Sequence, residues 1–218
     1  MSSPLLLVGL GNPGPEYAST RHNVGWMALD ELARRAGADT FKKKFSGEWA
    51  RGEIAGQSCV CLRPETFMNE SGRSVQPAAA FFHVPPSHVI ALHDELDLPF
   101  GEVRLKLGGG HAGHNGLRSM IQHLGTADFL RVRIGIGRPP AGWRGEVADF
   151  VLSSFDPVER ASVPDLAARA ADAVERLARH GVERAMNEVN TRPKGRADGL
   201  AGMVPARLLA PGRTSPGP

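Results

Sequence analysis

Residues 5–10 (LLLVGL) form an unbroken apolar run, too short for a helix and typical of a strand covered on both faces. A turn-rich GNPGPEY follows. Val24, Met27, Ala28 and Leu32 then fall at helical spacing, predicting a helix from about Asn23 to Ala36. Asn23 is placed to cap it and Gly37 to end it. Runs at 47–54 and 58–63 read as strands around the turn pair Gly56-Gln57. A second helix is expected over 71–83, stopped by Pro85-Pro86. HVIALHDELD reads as a strand ending in acids, and EVRLKL as another ahead of a glycine-rich stretch. Helix 116–124, strands 130–136 and 146–151, a long alanine-rich helix over 157–180 and a short one over 182–190 complete the series. Strands and helices alternate, which favours a layered α/β sheet.

Composition narrows the classes. With 218 residues, 41% hydrophobic and 22% charged, the balance is that of a soluble globular chain of one good-sized domain. No apolar run reaches the ~20 residues of a membrane span, and the N-terminus lacks the basic region of a signal peptide. Cys59 and Cys61 are read as facing opposite sides of a strand, which leaves no mutual disulfide and no zinc pair and fits a reducing cytoplasm. The net charge of +3 is uneven. From Thr191 onward five basic residues meet one acid, Asp198, so this stretch carries +4 and residues 1–190 carry −1. Its 5 prolines, 5 glycines and lack of aromatics mark 191–218 as a flexible basic tail beyond a domain of residues 1–190.

Gly9, Gly11 and Gly14 spell G-x-G-x-x-G after a buried strand, as a dinucleotide site requires. Pro13 and Pro15, however, leave no room for a helix to open within that turn. Asp30 and Glu31 fall inside a helix, not at the end of a second strand. More telling are polar clusters at element ends: Arg21-His22-Asn23, Met68-Asn69, His93-Asp94 and GGGHAGHNG (108–116). A His with a strand-end Asp is the minimum kit for general-base catalysis, and Asn amides can donate to an oxyanion. Asn23 and Asn69 are equally placed to cap helices, and Asn115 to form a turn. A serine nucleophile finds no G-x-S-x-G elbow, and Ser71 and Ser74 read as capping or packed residues. His93, Asp94, His111 and His114 offer ligand atoms for a metal, but without H-E-x-x-H or C-x-x-C spacing.

Three long segments carry more. GLGNPGPEYASTRHNVG (9–25), PETFMNESG (64–72) and HDELDLPFGEVRLKLGGGHAGHNGL (93–117) resemble, in order and spacing, the signature segments of bacterial peptidyl-tRNA hydrolases. RVRIGIGRP (131–139) and AMNEVN (185–190) are similar to that family too. The resemblance implies a single-domain three-layer α/β sandwich, a twisted mixed sheet flanked by helices. It implies cleavage of the ester between a peptide and the 3′ ribose of tRNA, with no cofactor, no metal and no protein partner, by a cytoplasmic monomer. It casts His22 as the general base and Asp94 as the group that keeps His22 productive. Asn69 then contacts substrate, Asn12 tells N-blocked from free aminoacyl groups, and Asn115 holds the peptide backbone or the tRNA end. Tyr17 and Phe67 line the tRNA-end site, and Lys106 with Arg133 grips the terminal 5′ phosphate. Arg118 stands where that family usually carries Lys, and the tail past Arg192 is longer than expected. A catalytically idle RNA-binding relative and a nucleotide-dependent oxidoreductase are the rival readings.

Overall fold

A computed structural model describes residues 3–191. The apolar run at the start is strand β1 (Leu5–Gly9), buried at every position. Six strands join it: β2 (Lys42–Lys44), β3 (Gly47–Ile54), β4 (Gln57–Pro64), β5 (Val89–Glu95), β6 (Val103–Leu107) and β7 (Leu130–Gly135). Their spatial order is β2-β3-β4-β1-β5-β7-β6. The four central strands run parallel, whereas β2, β3 and β6 are antiparallel to their inner neighbours. Leu5 and Leu7 enter one core and Leu6 and Val8 the other, as strand alternation requires.

Helices cover both faces, so the expected three layers are present. The first core packs against α1 (Val24–Arg35), α5 (Pro157–His180) and α6 (Val182–Asn190). The second packs against α2 (Gly72–Phe81) and α3 (Asn115–Leu124). The start of α1 lies hard against the sheet: a Cβ at Gly25 would run into the carbonyl oxygens of Leu92 and Leu10. That close approach brings the residues just before α1 over the ends of β1 and β5. Asp30 and Glu31 lie within α1 and are engaged by Arg63 and by Arg34 with Arg35. The sheet edge at β6 is partly covered from the end of α6. The Asn190 side chain accepts from Leu105 N–H at 2.8 Å and donates to the Leu105 carbonyl at 2.9 Å, as a neighbouring strand would.

Several expectations change. Residues 146–151 are not a strand: Val147–Val151 form a short helix, α4. Val147, Phe150 and Val151 fit helical spacing as well as alternation does, and a capping box between Glu146 and Asp149 decides for the helix. β2 carries three exposed lysines and no apolar alternation, so only its pairing with β3 reveals it. The hairpin turn is Ala55-Gly56, both at positive φ, one residue earlier than expected. Cys59 and Cys61 share a face, because residues two apart in a strand always do. Both are free thiols in the core beneath α1, and hydrogen bonding to Cys59 together with burial pushes the Cys61 thiol up. The basic tail lies, from residue 192, outside the described residues. Among the described residues no helix is long and apolar enough to cross a membrane.

Candidate active site

The chain leaves β1 on one side toward β4 and crosses back to β5 on the other. That makes the ends of these strands a topological switch point, where open α/β sheets form their clefts. Three strand exits supply the polar groups: Asn12 beyond β1, Phe67 to Asn69 beyond β4, and Asp94 within β5. They line one cleft of about 690 Å³ together with Tyr17, His22 and Asn115. Every residue assigned to the catalytic centre and the tRNA-end site by resemblance is therefore gathered here. Asn69 and Asn115 present exposed amides, and Phe67 is 57% exposed. Val147, Val151 and Leu152, from α4 and its end, form an apolar wall on one side.

Asn12 is held rather than loose. Its backbone N–H donates to Asn23 Oδ1 and its carbonyl accepts from Asn23 Nδ2, both at 2.9 Å. Asn23 thus makes no side-chain cap to α1. Its amide is used to hold Asn12. Asn12 Oδ1 accepts from Met68 N–H at 2.8 Å, which leaves its Nδ2 donor for the cleft.

The centre of the site is one carboxylate oxygen. Asp94 Oδ1 lies 2.8 Å from His22 Nδ1 and 3.0 Å from His114 Nε2. His114 Nδ1 accepts the backbone N–H groups of Gly116 and Leu117, at 3.1 and 3.3 Å, capping α3. That fixes the proton of His114 on Nε2, from which it donates to Asp94. His22 donates its Nδ1 proton to the same oxygen, leaving the Nε2 lone pair for the cleft. Burial pushes the Asp94 carboxyl up, but the two imidazoles outweigh it and hold it well below the carboxylate range. Burial lowers His22, and the charge and hydrogen bond of Asp94 more than reverse this, so its pKa lies above 6.5.

His93, adjacent to Asp94 in sequence, is not its imidazole partner. Neighbours in a strand face opposite ways. The His93 ring turns back to donate from Nδ1 to the Asp94 carbonyl at 2.7 Å. Burial and then His114 push it down to about 3, so it stays neutral beside the His114 ring. His22, Asp94 and His114 bring two nitrogens and an oxygen within 4.8 Å of one another, a spacing that a metal ion could use. Those nitrogens already carry protons directed at Asp94, and His114 is committed on its other nitrogen to α3. A metal would have to break both bonds. His111 is not part of this group; its Nδ1 accepts from Gly113 N–H.

Lys106 and Arg133 lie outside the cleft lining, on neighbouring strands. Leu105, Val132 and Ile134 point into the first core, so Arg104, Lys106, Arg131 and Arg133 project from the opposite face. Arg133 Nε donates to Glu95 at 2.8 Å and Lys106 is exposed. Arg131 is spent on structure, donating to the carbonyls of Gly109 and Gly110. Sequence reasoning missed two roles: His114 as the second donor to Asp94, and Asn23 as the clasp on Asn12. Their only signal was their place in GGGHAGHNG and TRHN.

Fold and cleft together define the class: a mixed α/β sandwich with a polar cleft at the ends of its central strands. The chain belongs to the peptidyl-tRNA hydrolase family, which it matches over residues 6–197. It is 62% identical over 218 residues to the peptidyl-tRNA hydrolase of Sorangium cellulosum, covering 97% of this chain and 98% of that relative. It is 55% identical over 191 residues to that of Mycobacterium tuberculosis, covering 87% and 99%. The crystal structure of peptidyl-tRNA hydrolase from Acinetobacter baumannii superimposes with a TM-score of 0.79 at 43% identity, over 87% of this chain and 96% of that one.

Proposed function

We propose that the chain hydrolyses the ester joining a peptide to the 3′ ribose of tRNA, with His22 as general base. The family's reaction splits peptidyl-tRNA and frees the tRNA; the residue roles are our reading of the cleft. The observation that carries it is the shared Asp94 oxygen, which leaves His22 Nε2 as a free base aimed at the cleft. Water gives a proton to Nε2 as it attacks the ester carbonyl. The imidazolium formed is stabilised by the Asp94 charge and returns the proton to the departing ribose oxygen. Base assistance of this kind contributes ~10²–10⁴ in rate.

Asn12, Asn69 and Asn115 supply the amides. Asn69 is assigned to the water or the oxyanion and Asn115 to the peptide backbone or tRNA end. Asn12 Nδ2 donates to the acyl carbonyl of an N-blocked amine. A free ammonium offers no such acceptor and would have to be desolvated. Tyr17 and Phe67 flank the tRNA end, and Lys106 with Arg133 receives the 5′ phosphate. The site is complete within one chain, which supports action as a monomer. Two buried thiols suit the reducing cytoplasm where the substrate is made.

N-acetyl-aminoacyl-tRNA and free aminoacyl-tRNA, each with and without EDTA, test this reading. Rapid hydrolysis of the blocked substrate alone, unaffected by chelation, is the expected result. Loss in EDTA with recovery on adding a divalent ion would replace the base mechanism with a metal one. Lys106→Ala and Arg133→Ala should each raise KM for whole tRNA but not for a short uncharged mimic of the acylated 3′ end. Each should also flatten the salt dependence, because fewer counterions are released. An equal rise in KM for the mimic would move both residues from the phosphate to the cleft.

A further inference from the structure

Arg21 sits beside His22 in the 3-10 turn Arg21–Asn23, yet it does not line the cleft. Only 6% of it is exposed. Its Nη1 donates to Ser153 Oγ at 2.9 Å and to the Ser154 carbonyl, and its Nη2 pairs with Glu159. The guanidinium carbon lies 4.6 Å from the ring centre of Phe150 and 5.2 Å from that of Phe155. The backbones join as well, Arg21 N–H donating to the Ser153 carbonyl at 3.0 Å and Thr20 bridging Ser154.

What Arg21 grips is the back of the apolar wall. Phe150 is the one buried residue of α4, whose Val147 and Val151 face the cleft. Glu159 is itself fixed, accepting the Asp156 N–H in the capping box that opens α5. A buried guanidinium requires such partners, so the contact is held from both ends.

We infer that Arg21 is a positioning residue, tying the apolar wall of the cleft to the turn that carries His22. A bulky acyl group resting on Val147, Val151 and Leu152 seats the wall, and through Arg21 it seats His22 Nε2 against the ester. The inference rests on His22 being the base. Its consequence is that a bulky apolar acyl group raises kcat and does not merely lower KM. Misplacement of a reacting group by about 1 Å costs up to ~10²-fold, so a small shift of the turn is enough.

The test compares N-acetyl-leucyl-tRNA with N-acetyl-glycyl-tRNA in the wild type, in Arg21→Lys and in Glu159→Gln. The second variant keeps an amide oxygen for the capping box while removing the charge that holds Arg21. The wild type should show a severalfold higher kcat on the leucyl substrate. Both variants should lose that advantage, with kcat on the leucyl substrate falling severalfold to the level of the glycyl one. Equal kcat on the two substrates in the wild type overturns the inference. So does an unchanged ratio in variants that lose only thermal stability, since Arg21 is then structural. If Arg21→Lys fails to fold, Glu159→Gln decides alone. His22→Ala is run alongside. Should it stay active, the base assignment fails on its own account; should it be inactive while the kcat ratio is unmoved, only the coupling fails.

Discussion

Replacing His22 with alanine should lower kcat about a hundredfold or more while leaving KM and the fold close to wild type. Among the described residues that line the cleft, no other imidazole has a free lone pair with a carboxylate behind it, so loss of the base removes its whole ~10²–10⁴ contribution. The fold should survive because Asp94 does not become an orphan. His114 still donates to its Oδ1, so the buried charge keeps one partner. The stability cost should depend on pH in a defined direction. The folded-state pKa of His22 lies above 6.5, so proton binding favours the folded form. That contribution is complete below about pH 6.5 and fades as pH rises through the folded value, so the variant's deficit should shrink in alkali. Single-turnover rates and thermal melts across pH check both halves. A variant that keeps more than about a tenth of wild-type kcat would mean His22 is not the base.

Asp94→Asn should be nearly as severe, through charge rather than through lost geometry. Both imidazoles meet the same oxygen, and an asparagine Oδ1 can still accept from both. What disappears is the anion that stabilises the imidazolium as the water proton arrives. A fall in kcat of about a hundredfold or more, with little change in KM, is the expected pattern. The acid limb of kcat/KM should also move to lower pH. With Asp94 neutralised, burial is left to set the His22 pKa, and burial lowers it. A change confined to KM would make Asp94 a substrate-binding group.

The sequence carried the centre of the molecule better than its margins. β1 and β5 are buried throughout, so their apolar runs have no other reading. α5 declared itself by its alanine-rich run, and the structure adds the Asp156–Glu159 capping box that opens it. α4 is missed because five residues are too few for periodicity to separate a strand from a helix, and the Glu146–Asp149 capping box decides for the helix. In the site, a carboxylate at a strand end was visible, but its partner was not deducible from proximity. The adjacent His93 meets only the backbone carbonyl of Asp94, while His22 and His114, which meet its carboxylate, lie 72 and 20 residues distant. Resemblance supplied His22, because it compares whole segments and not neighbours. It did not supply the joint hold of His114 on Asp94 and on α3, which appears only when the N-terminus of α3 is seen against the end of β5.

Asn190 gives the protein a particular vulnerability while it is being made. Chains emerge from the ribosome N-terminus first, and β6 can join the sheet only through β7, which ends at Gly135, roughly fifty-five residues before the side chain that covers part of its edge. Throughout that interval the sheet has an open border with unpaired backbone groups, a template for pairing with a second nascent chain. The last turn of α6 is thus a built-in seal, applied late, and a chain that stops short of it would keep a sticky edge beside an otherwise assembled sheet.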